Sequence, residues 1–552
     1  MNFALYFRKL SVICKMICVW FLASIVFFLI CDSCRIKPDR IVSEVCIYGN
    51  SSASVIAAVQ LKISGRNVVI VSPDDRIGGM SIEGLGGSDI NNHSDFKNDS
   101  VIGGLALDFY KKTAARYGIT YFDSVRKNST VWRFEPHVAE QVIEKWLSDH
   151  HIPVYRECRL IQDFRAVDKK DSKILSFKTE NNLCFHAKIF IDCSYEGDLL
   201  YYSGISTIIG RESNSTYGET KNGIRTINNY RNFEVPVDPY VVPGQPESGL
   251  IHTVQDEDLG ADGEADHRIQ AYCFRACLTN DPSNRVPFTE PDNYNRDWYE
   301  IYLRYIEAGG ELYSPYVSIP NNKTDLGAWH DLSHNLYGMN HKYPAGNYSL
   351  RDSIYKYHLD FTKGLFYFLS HDPSVPGSVR NKWKEWGTSR DEFRNNEGWP
   401  RMIYIRDARR MISDYVITEY NTRKDTNIIT NDPAGIAFWP PDVHHVRRIV
   451  KDGKAYNEGF VFGGDNWKPF QISYRSLIPK KSECTNIMTP TCLSASHIAF
   501  GAIRLEWTFM VLGQSAAIAA DLCLEKELDV QDLPYELLRE KLMKSGQIIE
   551  VK

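Results

Sequence analysis

The sequence predicts an α/β protein built on a Rossmann-like unit, in which a strand, a helix and a second strand follow one another within about 30 residues. Residues 44–48 are β-branched and aromatic, which is typical of a strand. Residues 55–62 form a helical pattern with small residues, and residues 67–72 form a second apolar strand. At 552 residues, the chain is long enough for more than one domain.

The turn before the helix predicts an anion site, because backbone N–H groups at a helix N-terminus attract phosphate. Gly49, Ser51 and Ser54 occupy the positions at which a dinucleotide-binding loop has its three glycines. Two of these glycines are therefore replaced by serine, and Ser72 stands where an acidic residue would bind a ribose hydroxyl. The pattern leaves two interpretations open, a pyrophosphate site and an ordinary βαβ unit without a nucleotide.

A second glycine-rich segment follows the second strand directly. Residues 76–89 contain five glycines, among them Gly78 and Gly79. Glycine lets the backbone approach a flat ligand closely, at an entropic cost that a simple connector does not need. The segment therefore favours a ligand at this edge of the sheet.

The first 40 residues predict export rather than a part of the fold. Arg8, Lys9 and Lys15 precede an uncharged apolar run at residues 16–31, which is the pattern of a signal peptide or an uncleaved anchor. We expect an exported protein, either periplasmic or held outside the cytoplasm by a membrane or lipid anchor. The formal net charge of −5 argues against nucleic acid as a partner, because nucleic-acid-binding proteins present clustered basic residues.

The sequence predicts no metal site. Its 13 cysteines do not form the repeated C-x2-C pattern of zinc or iron–sulfur sites. Asp442, His444 and His445 lie close together in sequence, but adjacent histidines on a strand point to opposite faces. One of these two histidines is expected to enter a substrate cleft instead.

Eight separated blocks of sequence together resemble one known family. They lie at residues 78–89, 104–110, 134–140, 191–199, 270–279, 404–411, 474–479 and 492–517, and include the sequences GGM, EPH, DCSYEGDL, RDARRM and GQSAA. In this order they are similar to the FAD-dependent oxidoreductases with two dinucleotide-binding domains. The likeness is to an exported bacterial group whose flavin domain is related to the flavin domain of heterodisulfide reductase.

The resemblance implies that FAD is the cofactor and that a Rossmann-like domain of the glutathione-reductase type binds it. The residues expected to bind FAD are Gly49, Ser51, Ser54, Ser72, Gly78, Gly79, Met80, Asp192, Asp198, Gly513 and Gln514. Residues 513–520 are expected to begin a helix whose N-terminal amides face the reduced flavin. A closely packed helix pair is the alternative for this segment.

Flavin chemistry needs an acid/base group near the reacting atoms. His497 is the expected proton donor or acceptor, and Arg504 the cation that stabilises developing negative charge. A structural histidine, and an arginine paired with Glu506, are the alternatives. Arg275 and Arg406 are expected to line the substrate pocket, with Arg275 as the third catalytic residue. A solvated helix face that pairs Asp407 with Arg410 is the alternative for the segment around Arg406.

We expect a discontinuous flavin domain, at residues 43–209 and 483–524, with an inserted α+β substrate domain at 210–482 and a tail at 525–552. Helices are predicted in the insertion at residues 295–307, 349–370 and 397–421. The expected reaction transfers a hydride between a small, sugar-derived organic substrate and flavin N5, with an unidentified electron acceptor. The alternatives are a degenerate flavin-binding protein without catalysis and a non-redox carbohydrate lyase.

Overall fold

A computed structural model describes residues 39–93, 96–227, 231–328 and 330–550. Its strands are β1 Asp39–Val42, β2 Val45–Tyr48, β3 Val68–Val71, β4 Val154–Tyr155, β5 Val167–Lys170, β6 Lys173–Lys178, β7 Leu183–His186, β8 Ile189–Asp192, β9 Thr207–Ile209, β10 Leu278–Thr279, β11 Arg285–Pro287, β12 Gly387–Ser389, β13 Arg409–Met411, β14 Pro433–Ala437, β15 Asp442–Val443, β16 Arg447–Lys451, β17 Lys454–Glu458, β18 Val461–Phe462, β19 Phe470–Ser473 and β20 Ile487–Met488. Its α-helices are α1 Ser52–Ile63, α2 Gly104–Ala115, α3 Phe122–Val125, α4 Pro136–Asp149, α5 Asp198–Tyr202, α6 Asn214–Tyr217, α7 Glu300–Glu307, α8 Tyr348–His371, α9 Gly377–Lys384, α10 Glu419–Thr422, α11 His497–Ile503, α12 Glu506–Lys526 and α13 Tyr535–Lys544. The signal or anchor predicted at residues 1–40 lies almost entirely outside the described residues.

A five-stranded parallel sheet forms the core, in the order β20-β8-β2-β3-β4. Its three central strands are fully buried, because helices and loops cover both faces of a parallel sheet. The β2–α1–β3 unit matches the predicted strand, helix and strand, and the predicted α/β class with a Rossmann-like core is confirmed. The glutathione-reductase subclass and the domain boundaries stay predictions.

Helix α12 is the central helix beside this sheet, and it packs directly against α1. A Cβ atom built on Gly513 would lie 2.7 Å from the carbonyl oxygen of Ala53, so only glycine permits this approach of the two helices. Within the described residues, α12 is the one helix long and apolar enough to span a membrane, but 94% of its most apolar window is buried in the protein. Its apolar character is therefore explained by its place in the core.

The part of the chain between β8 and β20 contains small sheets and the long helix α8. The predicted helices at 295–307 and 349–370 are confirmed by α7, with the 3-10 turn before it, and by α8. Trp383, Trp386 and Trp399 are buried in the core beside α8. These three tryptophans therefore belong to an ordinary hydrophobic core.

The helix predicted at residues 397–421 is wrong. The segment contains β13, which pairs antiparallel with β9, and ends in the short helix α10. Arg406 and Arg410 are buried there, and Arg410 bonds the Glu212 carboxylate at 2.8 Å rather than forming a helical pair with Asp407. Burial of these arginines against distant partners overrides the local helical pattern.

Candidate active site

The two glycine-containing loops predicted to bind a cofactor meet at the carboxyl edge of the parallel sheet. The backbone N–H of Gly78 donates a hydrogen bond to the carbonyl of Asn50 at 2.8 Å. A Cβ atom built on Gly79 would lie 2.8 Å from the Cα atom of Ser51, which shows that the second loop rests on the first. The structure therefore brings residues 49–54 and 78–80 together.

A buried carboxyl group closes the N-terminus of α1. Glu506, the first residue of α12, accepts hydrogen bonds from the Ser52 hydroxyl and from the Tyr195 hydroxyl, both at 2.5 Å. The Tyr195 hydroxyl also accepts a hydrogen bond from the N–H of Met80 at 3.0 Å. Burial raises the pKa of Glu506 to about 7, so this carboxyl is close to half protonated at neutral pH.

A cavity of about 340 Å³, which we call the sheet-edge cavity, opens beside these loops. Its charged lining residues are Asp74, Arg159, Glu196, Asp198, Arg351, Asp352 and Arg401. Asp198 accepts hydrogen bonds from Arg351 at 2.6 and 2.8 Å and from Arg409 at 2.7 Å. The carboxylate is therefore held by two arginines.

A second cavity, of about 480 Å³, lies at the end of the glycine-rich segment, and we call it the arginine cavity. Its charged lining residues are Asp89, Arg133, Arg231, Arg275, Asp325, Arg406, Asp442 and Arg504. Asp325 joins this wall to the glycine-rich segment, because it accepts hydrogen bonds from Arg275 Nε at 2.6 Å and from the N–H of Gly87 at 2.8 Å. Arg504 donates to the Tyr404 hydroxyl at 2.8 Å.

Comparison with known proteins identifies the family. A family model described as FAD dependent oxidoreductase matches residues 44–542. The chain belongs to this family. It is therefore an FAD-dependent oxidoreductase, and its cofactor is FAD. No significant match was found among curated proteins. The exported group and the link to heterodisulfide reductase stay predictions.

Several solved structures are similar over part of this oxidoreductase. L-proline dehydrogenase from P. horikoshii has 14% identity and a TM-score of 0.24, over 32% of this chain and 59% of that one. L-amino acid deaminase from Proteus vulgaris has 15% identity and a TM-score of 0.22, over 31% and 52%. T. acidophilum thioredoxin reductase has 16% identity and a TM-score of 0.16, over 28% and 35%. The chain spans less than two thirds of each, and such partial matches say nothing about its substrate.

The predicted FAD-binding position of this oxidoreductase is filled by protein side chains. Ser51 and Ser54 have no exposed surface, and Ser52 has 1%. A pyrophosphate at the N-terminus of α1 would meet the Glu506 carboxyl, and a chain passing Gly79 would meet the Tyr195 hydroxyl. These residues do not fit FAD as they stand, and binding of FAD at this place requires Glu506 and Tyr195 to move.

The other predicted FAD-binding side chains are also bound within the protein. Ser72 donates to the carbonyl of Asp74 at 2.8 Å. Asp192 accepts from the N–H groups of Ser194 and Leu200, both at 3.0 Å, and so fixes the turn after β8. Of the predicted residues, Asp198 is the one that lines a large cavity, at the sheet edge.

The helix start predicted at residue 513 is wrong. Gly513 and Gln514 lie about two turns into α12, which begins at Glu506. Gln514 accepts a hydrogen bond from the N–H of Leu105 and donates one to Gln60, both at 2.9 Å. The alternative, a closely packed helix pair, is the arrangement observed. The N-terminus of this helix lies at Glu506 and not at residue 513, where it was predicted to face the flavin.

Of the three predicted catalytic residues, Arg275 and Arg504 line the arginine cavity and His497 lines neither cavity. His497 is buried, with its Nδ1 atom 3.1 Å from the Asp407 carboxylate. Burial raises the pKa of Asp407, but His497, Arg410 and Gln270 together lower it by more, and the net shift is downward. This geometry favours the structural alternative for His497. The alternative pairing of Arg504 with Glu506 is wrong, because Glu506 is bonded to Ser52 and Tyr195.

The arginine cavity also contains other residues that were predicted to line a substrate pocket. Arg406 lines the arginine cavity, and so do Asp442 and His444. His445 does not, so one histidine of the adjacent pair faces the cavity. Tyr195 and Glu506 were missed as ligand-region residues, although each lies within a block that carries the family resemblance. Their meeting with Ser52 joins parts of the chain far apart in sequence, which no local pattern reveals.

A cluster of Glu135, His137, Asp391 and Glu392 has its ligand atoms within 4.8 Å of one another, as a metal site would. Lys323 already supplies the cation. Its ammonium group lies 2.6 to 2.8 Å from oxygen atoms of the three carboxylates, and its side chain is fully buried. The cluster is therefore an internal ion-pair network.

Proposed function

We propose that this oxidoreductase transfers a hydride between a small organic substrate and flavin N5, with the arginine cavity as its substrate site. The position of the cavity carries the proposal. Gly87 and Asp89, at the end of the glycine-rich segment, line it together with Arg275 and Arg504. The backbone at Gly84 also touches Arg275, because a Cβ atom there would lie 1.9 Å from the Arg275 carbonyl oxygen.

The cavity wall contains the groups that such a reaction uses. Arg504 donates a hydrogen bond to the Tyr404 hydroxyl. In this proposal the guanidinium stabilises the negative charge that develops on an oxygen of the substrate. His444 replaces His497 in this proposal as the histidine that exchanges a proton with the substrate. Its Nε2 atom lies 3.9 Å from the Asp442 carboxylate, and burial lowers its pKa well below the usual value. The ring is therefore neutral and has an unprotonated nitrogen to take the proton, but the lowered pKa makes it a weak base.

We further propose a substrate with a sugar-like ring, an external electron acceptor for the reduced flavin, and an exported location. The rings of Tyr313, Tyr316 and Trp439 line the cavity and give it planar apolar faces. The charged and apolar N-terminal segment supports export and anchoring.

The test is the absorbance of the full chain purified with FAD, followed by anaerobic titration with sugars and polyols. Bound flavin absorbs at about 450 nm, and hydride transfer from a substrate bleaches this band. His444→Ala is expected to slow bleaching at least tenfold while the band is retained, whereas the exposed-site control Arg165→Gln bleaches at the unmodified rate.

Two results would contradict the proposal. A colourless protein that takes up no flavin would indicate a degenerate member of the family. An unsaturated product that forms without flavin and oxygen would indicate a carbohydrate lyase.

A further inference from the structure

We propose that the arginine cavity recognises a carboxylate, so that the substrate of this oxidoreductase is a small organic acid. The inference rests on the proposed function for the assignment of the cavity to the substrate. The charges and hydrogen bonds of the cavity wall carry the choice of substrate class.

The arginine cavity and the sheet-edge cavity differ in the sign of their formal charge. The described wall of the arginine cavity has five arginines and three aspartates, a formal balance of +2. The sheet-edge cavity has three arginines and four acidic residues, a balance of −1. Burial raises the pKa of Asp89 in the arginine cavity and of Asp74 and Glu196 in the sheet-edge cavity, so the negative charge is weakened on both walls. The described wall of the arginine cavity is therefore the one with a formal excess of positive charge, which favours an anionic ligand there.

Three guanidinium groups crowd one ring in this wall. The Cζ atoms of Arg275, Arg406 and Arg504 lie 5.8, 4.9 and 5.8 Å from the centroid of the Tyr404 ring. Asp325 is the counter-ion of Arg275, at 2.6 Å, whereas the nearest carboxylate oxygen to Arg504 is that of Asp442 at 3.7 Å. Like charges held this closely in a buried wall repel one another, and a bound anion relieves that repulsion.

Arg406 is balanced by groups other than a carboxylate. Its side chain is buried, and within the described residues no carboxylate lies within ion-pair distance of it. It donates instead to the side-chain oxygen of Asn335 at 3.0 Å, to the carbonyl of Ala328 at 3.2 Å and to the sulfur of Cys273 at 3.2 Å. Although burial raises the pKa of the Cys273 thiol, Arg406, His334 and Arg275 together lower it to about 6, so the thiolate balances one positive charge. One positive charge of the described wall then remains.

The buried polar atoms of the described wall that lack a hydrogen-bond partner are all donors. Within the described residues, the Nε atoms of Arg406 and Arg504 and the Nε1 atom of Trp439 are buried without a hydrogen-bond partner. All three groups donate and cannot accept. A carboxylate only accepts, and its two oxygens match the geometry of arginine, whereas each hydroxyl of a neutral sugar brings a further donor.

The size of the cavity suits an acid that also has a ring. Its volume of about 480 Å³ is in the usual range for small-molecule sites. Tyr313 and Trp439 line it with apolar ring faces. We therefore expect the carboxylate to bind the arginines and the remainder of the molecule to contact the rings.

The experiment measures binding to the full chain by quenching of tryptophan fluorescence and by thermal shift, independently of any flavin signal. The probes are matched pairs of an acid and a neutral analogue, namely glucuronate and glucose, gluconate and glucitol, and benzoate and benzyl alcohol. We expect the acid of at least one pair to bind at least tenfold more tightly than its neutral partner. Arg504→Gln should remove most of this preference, Arg504→Lys should retain part of it, and Arg165→Gln, at an exposed site, should leave it unchanged.

Equal binding of acids and neutral analogues, or binding of no acid in the panel, would overturn the inference. If Arg504→Gln does not fold, the salt dependence of the unmodified chain decides, because binding of an anion to arginines weakens as salt is added. Acid binding without flavin bleaching would support this inference and contradict the proposed redox role of the cavity. Bleaching by a neutral compound without acid binding would do the reverse.

Discussion

Glu506→Gln tests the buried carboxyl group that closes the N-terminus of α1. The structure raises the pKa of Glu506 from 4.5 to about 7, through burial. One pKa unit corresponds to about 1.36 kcal/mol, so the ionised carboxylate destabilises the folded state by about 3 kcal/mol. Glutamine has nearly the same shape, and its amide offers both an acceptor and a donor to the Ser52 and Tyr195 hydroxyls.

The effect depends on pH in a defined direction. Below pH 4.5 the carboxyl is protonated in both states and contributes no difference. Between pH 4.5 and about 7 the unfolded chain releases the proton and the folded chain retains it, so the folded state loses stability as the pH rises. The stability gained by Glu506→Gln should therefore grow from about 1 kcal/mol at pH 5 to about 3 kcal/mol at pH 8.

Urea unfolding of the full chain, followed by tryptophan fluorescence at several pH values, measures this difference. Glu525→Gln is the matched control, because Glu525 lies on the same helix with an exposed side chain, and we expect no pH-dependent gain there. A Glu506→Gln difference that is constant between pH 5 and pH 8 would refute the assignment of a raised pKa to this carboxyl.

Three further variants test the packing around the site. Asp198→Asn leaves two buried arginines without their counter-charge and should lower the free energy of unfolding by about 3–5 kcal/mol. The surface control Asp352→Asn should lower it by about 1 kcal/mol or less. Urea unfolding measures both losses, and equal losses would contradict this prediction. Gly513→Ala places a Cβ atom 2.7 Å from a backbone oxygen of α1 and should cost about 1–3 kcal/mol in thermal unfolding, whereas Gly377→Ala, whose nearest neighbour is 4.0 Å away, should be tolerated. His497→Ala should lower stability but leave the rate of bleaching per bound flavin within twofold, and abolished bleaching in a folded, yellow variant would restore His497 as a catalytic residue.

Local sequence patterns predicted the β2–α1–β3 unit of the parallel sheet well. The strand at 44–48 and the helix at 55–62 differ from β2 and α1 by at most three residues at an end, because apolar periodicity and a glycine turn determine this unit locally. The helix prediction at residues 397–421 was wrong because contacts with remote parts of the chain determine the structure there. The arginines of this segment gain their partners from remote parts of the chain, as when Arg409 binds Asp198, which lies 211 residues away in sequence.

The candidate site could be predicted only in part from the sequence. Arg275 and Arg406 were expected at the substrate pocket and Arg504 as the catalytic cation, and all three line one cavity. The closure of the α1 N-terminus was not expected, because Ser52 and Glu506 are 454 residues apart and only the assembled fold joins them. The serines that replace two loop glycines gave a partial signal, since they indicated an altered cofactor site.

The structure of the FAD-loaded chain tests the central claim most directly. We predict that Glu506 and Tyr195 leave the N-terminus of α1, that the pyrophosphate takes their place, and that the flavin ring faces the arginine cavity beside Gly87. Flavin bound elsewhere, with the hydrogen bonds from Ser52 and Tyr195 to Glu506 intact, would contradict the account.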